Sequence, residues 1–235
     1  MSTYKTTGII LRRTDYQEAD RIFTILTPLG KVSAIAKSVR RLNAKLARHL
    51  DVFAEIELML AKGRNLDVVT SARIQRQYHL SEDYERMRRG FLFMEMADRL
   101  TDTDQTAEVY DVVATALAAL ETGDSLVAEL AFKLQLLDAL GQAPRLDREV
   151  GTDRPLRSDQ WYRLDYNQGG FVQSHSGDHQ ALSPDAIKLW RLIMRVGTAK
   201  AARVENATAA AQMGLTACDK FYTHLYSIQF RSQQF

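Results

Sequence analysis

The chain has 235 residues, 46% hydrophobic and 26% charged, enough for one large domain or two small ones. One cysteine, Cys218, excludes an internal disulfide framework and a thiolate zinc site. No run of about 18 apolar residues suits a membrane helix, and polar Met1 to Thr7 lacks a signal-peptide core, so cytoplasmic residence without membrane contact is expected.

The first 78 residues read as strands. Gly8 to Leu11 is a short apolar run ending in Arg12 and Arg13. Ile22 to Thr27 is rich in β-branched residues, Pro28 to Lys31 is turn chemistry, and Val32 to Ala36 returns as the second arm of a hairpin. Val52 to Leu60 alternates near its centre, with Glu55 and Glu57 on one face and Ala54, Ile56 and Leu58 on the other. Lys62 to Asn65 turns the chain and Leu66 to Thr70 forms the last run. Five strands over this length predict a small closed barrel of the OB type.

From about Tyr78 the apolar period becomes helical. Phe91, Met94 and Leu100 mark one stripe and Val109 to Leu117 a second helix. Leu126 to Leu140 is a third, closed by Gly141 and Pro144. Residues 145–182 read as an irregular insert, with a hairpin from Trp161 to Val172 around Asn167 to Gly170. Ser183 and Pro184 open a helix with Ile187, Trp190 and Met194 on its face; 199–213 and Thr216 to Phe230 predict two more. The expected class is α+β: a five-stranded OB-fold barrel over 1–78, then a helical domain over 79–235 that carries the insert.

Charge separates these parts. Residues 1–80 hold 14 Lys and Arg against 7 Asp and Glu, and residues 81–235 hold 17 against 22. No acid occurs from Arg21 to Leu50. The densest part, Lys37 to His49, joins two strands and carries Lys37, Arg40, Arg41, Lys45 and Arg48. Such a segment is either a solvated loop or a track for phosphate; the barrel context favours the track. Arg12, Arg13, Lys31 and Arg64 extend it, and Tyr4, Tyr16, Phe23, Phe53 and Tyr78 are the nearby aromatics, Phe23 and Phe53 being core candidates.

Other clusters read as structural. Asp15, Glu18 and Asp20 beside Arg21 fit a turn fixed by ion pairs. His175 and His179 have the spacing of two ligands on a helix, but Gly177 between them argues for a loop. Cys218 fits a small core residue. No phosphate-binding loop, dinucleotide fingerprint, zinc-protease motif or nucleophile elbow occurs, so no enzyme, cofactor or metal is expected.

Blocks spaced along nearly the whole chain resemble the RecO family of bacterial recombination mediators. They are Thr7 to Leu11, Asp15 to Arg21, Thr27 to Lys31, Ala36 to Arg41, Leu50 to Phe53, Lys62 to Leu66, Phe132 to Pro144, Gly169 to Val172, Leu182 to Pro184, Tyr222 to Leu225, and Arg231 with Ser232. The resemblance implies an OB-fold and a helical domain that bind single- and double-stranded DNA, anneal complementary strands, and assist loading of RecA onto DNA coated by the single-strand-binding protein SSB. It implies RecR, in some bacteria RecF, and the acidic SSB tail as partners, with Phe132, Lys133 and Leu136 as tail-binding residues. Arg12, Arg13, Lys37, Arg40, Arg41, Lys45 and Arg48 become the candidate DNA contacts.

Two departures stand out. Many members carry a four-cysteine zinc module near 145–180, where this chain has Gln173 and Ser176 and no cysteine near Glu149. Trp161, Tyr162 and Phe171 are expected to hold that insert instead. Gln135 stands where the family often has Arg, leaving Lys133 as the substitute. The charge pattern alone equally fits an OB-type adaptor for an acidic protein, or an RNA-binding protein.

Overall fold

A computed structural model of the chain describes residues 2–101, 106–201, 206–228 and 230. They divide into two compact units, one up to Glu121 and the other from Thr122 onward. Arg231 and Ser232, part of the family-like pattern, lie outside the described residues, as do 202–205 in the Ala-rich stretch.

The first unit is built on five strands: β1 (Thr3–Tyr16), β2 (Asp20–Thr27), β3 (Gly30–Ala36), β4 (Ala54–Ala61) and β5 (Asp67–Gln77). They close into a barrel in the order β1-β2-β3-β5-β4, with β1 also paired to β4. Only β3 and β5 pair in parallel, through Ala34–Asp67 and Ile35–Val68. The register of β1 slips between Ile10 and Arg12. That irregularity bends one long strand so that its first half pairs with β4 and its second with β2. This is the OB-fold expected from the strand count.

The alternation of β4 is realised: Ala54, Ile56 and Leu58 are buried, and Glu55 and Glu57 lie on the other face. Phe23, Ile25, Ile56, Leu58 and Leu60 fill the barrel, and the small Ala34, Ala36, Ala54 and Ala72 let its walls approach. Strand β5 runs seven residues past the expected Thr70, because Ser71–Gln77 is polar yet pairs along β4.

Helix α1 (Tyr84–Leu100) starts at Asp83, whose side chain accepts from the Glu85 and Arg86 N–H groups. It buries Leu92, Phe93, Met94, Met96 and Ala97. Phe91, expected in the core stripe, is exposed at the rim and rests on Phe53 at 4.8 Å. Helix α2 (Thr106–Thr122) follows. Tyr78 and Tyr110 both donate to the Glu55 carboxylate, the latter at 3.0 Å, which fastens α2 to β4. Burial first, and that carboxylate second for Tyr78, push both phenols above their ordinary pKa.

In the second unit α3 (Ser125–Ala139) is capped by Asp124. It ends in a Schellman turn: Gly141 sits at φ +69°, its N–H reaches Asp138 O, and the Gln142 N–H reaches Leu137 O. The stretch expected to be irregular holds a four-stranded sheet, ordered β6 (Arg145–Glu149), β8 (Gly170–Gln173), β7 (Tyr162–Asp165) and β9 (Ala181–Leu182). The β7–β8 hairpin was legible; β6 and β9 are short and polar or only two residues long. Tyr162 and Phe171 are fully buried, and Phe171 meets Trp190 edge-on at 5.6 Å.

Helix α4 (Pro184–Val196) has Ser183 as its cap and buries Ile187 and Trp190. A short α5 (Thr198–Ala201) precedes α6 (Ala207–Tyr226), which runs unbroken through Gly214, where the sequence suggested two helices. Gly214 is there for space: a Cβ would lie 2.4 Å from Trp190 Nε1. No helix among the described residues is long and apolar enough to cross a membrane.

Candidate nucleic-acid interface

Lys37 to Leu50 leaves β3 and returns at β4 as a chain of tight turns. Backbone bonds step along it from Arg41 N to Ser38 O, Ala44 N to Arg41 O, Ala47 N to Ala44 O and Leu50 N to Ala47 O. The last turn is a 3-10 helix, Ala47–His49. Cations alone would splay such a segment, so apolar anchors hold it: Val39 and Leu50 are buried in the barrel core and Leu46 packs against it.

The acids of the β1–β2 turn complete the anchoring. Asp20 Oδ1 accepts from the Ser38 N–H at 2.7 Å, where Ser38 takes a left-handed φ of 55°. The Arg40 N–H donates to Ala19 O at 2.9 Å. Asp15 accepts from Arg21 Nε at 2.7 Å and lies 3.4 Å from Arg40 Nη2. The Arg21 hydrogen bond, with Arg40 and Arg13 nearby, holds the Asp15 carboxyl below its usual range. The Asp15–Arg21 pair is the ion-paired turn that the residue pattern suggested, and the cluster's grip on the β3–β4 loop is added by the structure.

The predicted DNA contacts separate into two groups. Arg12 is spent on Asp98 at 2.8 Å, and Arg40 is shared with Asp15 and the Gln17 carbonyl. Lys31 Nζ is turned onto the Asp98 carbonyl. Arg13, Lys37, Arg41, Lys45 and Arg48 are exposed and have no carboxylate within ion-pair distance among the described residues. Lys45, Arg48 and His49 line an open groove of about 440 Å³ together with Thr70, Ser71 and Ala72 of β5. Cations over a strand surface suit phosphate oxygens, and Ser71 adds a hydroxyl, whereas the Thr70 hydroxyl donates to the Met59 carbonyl at 2.9 Å. The sequence did not flag Thr70 and Ser71, because hydroxyls on an exposed strand carry no signal until the loop lies across them.

Of the candidate aromatics, Phe23, Phe53 and Tyr78 are buried and Tyr4 is held by Asp67. Tyr16, at the end of β1, is the exposed one.

The residues implied for tail docking do not form a surface. Phe132, Lys133 and Leu136 are fully buried in α3. Lys133 Nζ lies 2.6 Å from both Glu129 Oε1 and Asp219 Oδ1, and its backbone carbonyl accepts from the Tyr222 hydroxyl. Helix α3 is buried on nearly every side, so its periodicity marks no outer face. Burial opposes the Lys133 charge, but the two carboxylates outweigh it and hold its pKa above the ordinary value.

The region matching the family's zinc module does not fit that metal. Glu149 accepts from the Thr152 hydroxyl, Gln173 ends β8, and His175 Nδ1 accepts from the Gly177 N–H. No three His, Cys, Asp or Glu side chains converge on a metal position among the described residues. Arg191 instead ties the sheet to α4 by donating to the Leu146 and Leu156 carbonyls, each at 2.9 Å.

Comparison with known proteins bears on the same two parts. A family model described as Recombination protein O N terminal matches residues 1–78, and one described as Recombination protein O C terminal matches residues 81–234. The chain is 41% identical over 146 residues to a DNA repair protein RecO of Roseiflexus sp., covering 61% of this chain and about half (52%) of that relative. It is 34% identical to the RecO of Bifidobacterium adolescentis over 80% of both chains. It is 31% identical to that of Heliobacterium modesticaldum over 83% of this chain and 75% of the relative. With both matches falling in the order of the barrel and the helical region, the chain belongs to the RecO family of DNA repair proteins.

Proposed function

We propose that this protein binds DNA through the β3–β4 loop and the β5 groove, anneals complementary strands, and acts as a recombination mediator that assists RecA loading onto SSB-coated DNA. The observation that carries the reading is the set of exposed cations on a loop clasped to an OB barrel, with Lys45 and Arg48 lining one groove with Thr70 and Ser71. Mobile cations on a free loop would only solubilise it; the Asp20 and Val39 anchors hold these at fixed spacing. The mechanism breaks no bond. Cations neutralise phosphates, two strands approach without repulsion, and base pairing supplies the specificity.

Residues 1–78 serve as the nucleic-acid module and 79–235 as the helical domain. RecR, RecF and the SSB tail are the proposed partners, all in the cytoplasm. Because Phe132, Lys133 and Leu136 are buried, tail capture is proposed for other surfaces.

The test is binding to a single-stranded oligonucleotide across a salt series. Replacing Arg41, Lys45 and Arg48 together by Ala should flatten the log–log salt slope by about 2, at roughly 0.7 per phosphate contact. An unchanged slope and affinity would sink the assignment. A matched RNA oligonucleotide separates DNA from RNA preference, and capture of an acidic peptide without any oligonucleotide binding would establish the adaptor role instead.

A further inference from the structure

The tip of the cationic loop carries a residue that phosphate binding does not explain. The Ala44 N–H bonds to Arg41 O at 3.0 Å, so Leu42 and Asn43 occupy the centre of a β-turn. Such positions favour Asn, Asp, Gly, Pro or Ser. Leu42 is instead fully exposed. Arg40 and Arg41 precede it and Lys45 follows, and the turn is held from below by buried Val39 and the Asp20–Ser38 bond. Leu29, also exposed, differs: the cation nearest it in sequence, Lys31, is turned onto the Asp98 carbonyl.

We propose that Leu42 is a base-contacting wedge: where Arg41 and Lys45 hold phosphates, the leucine inserts against the faces of unstacked bases. This rests on the nucleic-acid reading above and adds to it a contact with bases. Charge selects the occupant, because an apolar tip between Arg41 and Lys45, neither of them ion-paired among the described residues, matches a polymer whose apolar rings alternate with anions. Apolar side chains act this way between base steps elsewhere. A single strand offers its bases without the cost of opening a duplex, so the wedge favours single strands and frayed ends. It reads no sequence, since every base has an apolar face.

The experiment compares the full chain with Leu42→Ala and Leu42→Gln on two oligomers of equal length. One is oligothymidylate; the other is an abasic phosphodiester with the same charge. Leu42 is exposed, so neither variant should shift the thermal midpoint. The expected result is about tenfold weaker binding of oligothymidylate by both variants, the order given by burying most of a leucine, with abasic binding and the salt slope unchanged. In a strand containing 2-aminopurine, the fluorescence rise on binding should shrink in parallel. Equal oligothymidylate affinity for parent and variants would overturn the wedge while leaving phosphate binding intact. Failure of the parent to bind either oligomer at low salt would overturn both. Leu42-dependent binding to anionic lipid vesicles, with oligonucleotide binding indifferent to Leu42, would assign the tip to a membrane surface and overturn the wedge.

Discussion

Asp20 illustrates how single side chains set the interface. It brings a negative charge close to a cationic loop, yet its oxygen holds the Ser38 N–H at a left-handed residue. By charge alone, Asp20→Ala should strengthen DNA binding. By position it should weaken it, because the loop loses its clasp; we expect a loss of affinity and roughly 1 kcal/mol of stability. A titration at fixed salt decides between the two signs, and tighter binding would mean that the loop needs no fixed shape. The same reasoning ranks the cations. Arg12→Ala should change the salt slope less than Arg41→Ala or Lys45→Ala, because Arg12 is already neutralised by Asp98. Glu55 belongs to the fold rather than the interface. Glu55→Ala removes the acceptor for the Tyr78 and Tyr110 hydroxyls and should cost about 2 kcal/mol in a denaturant melt.

Elements differ in how openly the sequence declares them. The barrel strands were legible where one face is apolar, as in β4, and not along the exposed end of β1 or the polar Ser71–Gln77 part of β5. The ion-paired turn at Asp15 and Arg21 was legible, but its clasp on the β3–β4 loop was not, because Asp20 and Ser38 lie on different turns. The groove was not, because it arises from the loop lying across Thr70 and Ser71, which are distant in sequence. Lys133, which the resemblance implies for tail docking, is enclosed in α3, with counter-charges from Glu129 of the same helix and Asp219 of α6. Lys133→Met should therefore destabilise the helical unit by about 3 kcal/mol, since it strips a buried carboxylate of its cation. The pH dependence has a definite sign. Lys133, Tyr78 and Tyr110 all have folded pKa values raised above their unfolded ones. Their contribution is complete below about pH 10, the range of the unfolded groups, and is lost as pH rises through the folded values. Thermal midpoints should hold up to about pH 10 and then fall; a midpoint flat to about pH 11.5 would contradict the raised values. Cys218 sits beside this cluster, fully buried, with its thiol pushed up by desolvation. It should react with thiol reagents only as the unit unfolds.

At the scale of the molecule, charge and fold divide the chain at different places. Residues 1–80 carry the excess of cations. The compact unit containing the barrel, however, extends to Glu121. Several contacts explain the extension. Asp98 holds Arg12 and offers its carbonyl to Lys31, Tyr110 donates to Glu55, Glu121 accepts from the His79 N–H, and Phe91 covers Phe53. The proposed DNA-binding module is thus expected to be complete by residue 80, while the compact unit is longer. A fragment ending at residue 80 should be less stable than one ending at residue 122 by at least about 3 kcal/mol, from the Glu55 network and the uncovered aromatic surface together. Under conditions where both are folded, the salt slope of the shorter on single-stranded DNA should equal that of the longer or exceed it by up to about 0.7, because the loop, the groove and their cations are present in each and Arg12 loses Asp98 in the shorter. Equal melting of the two fragments would show that α1 and α2 contribute nothing to the barrel. A shallower slope for the shorter one at equal folding would place phosphate contacts beyond residue 80. Asp98 gives the comparison its sharpest expectation: in the shorter fragment Arg12 is released, so its removal by Arg12→Ala should now reduce the slope by up to about 0.7, where in the longer fragment it barely does.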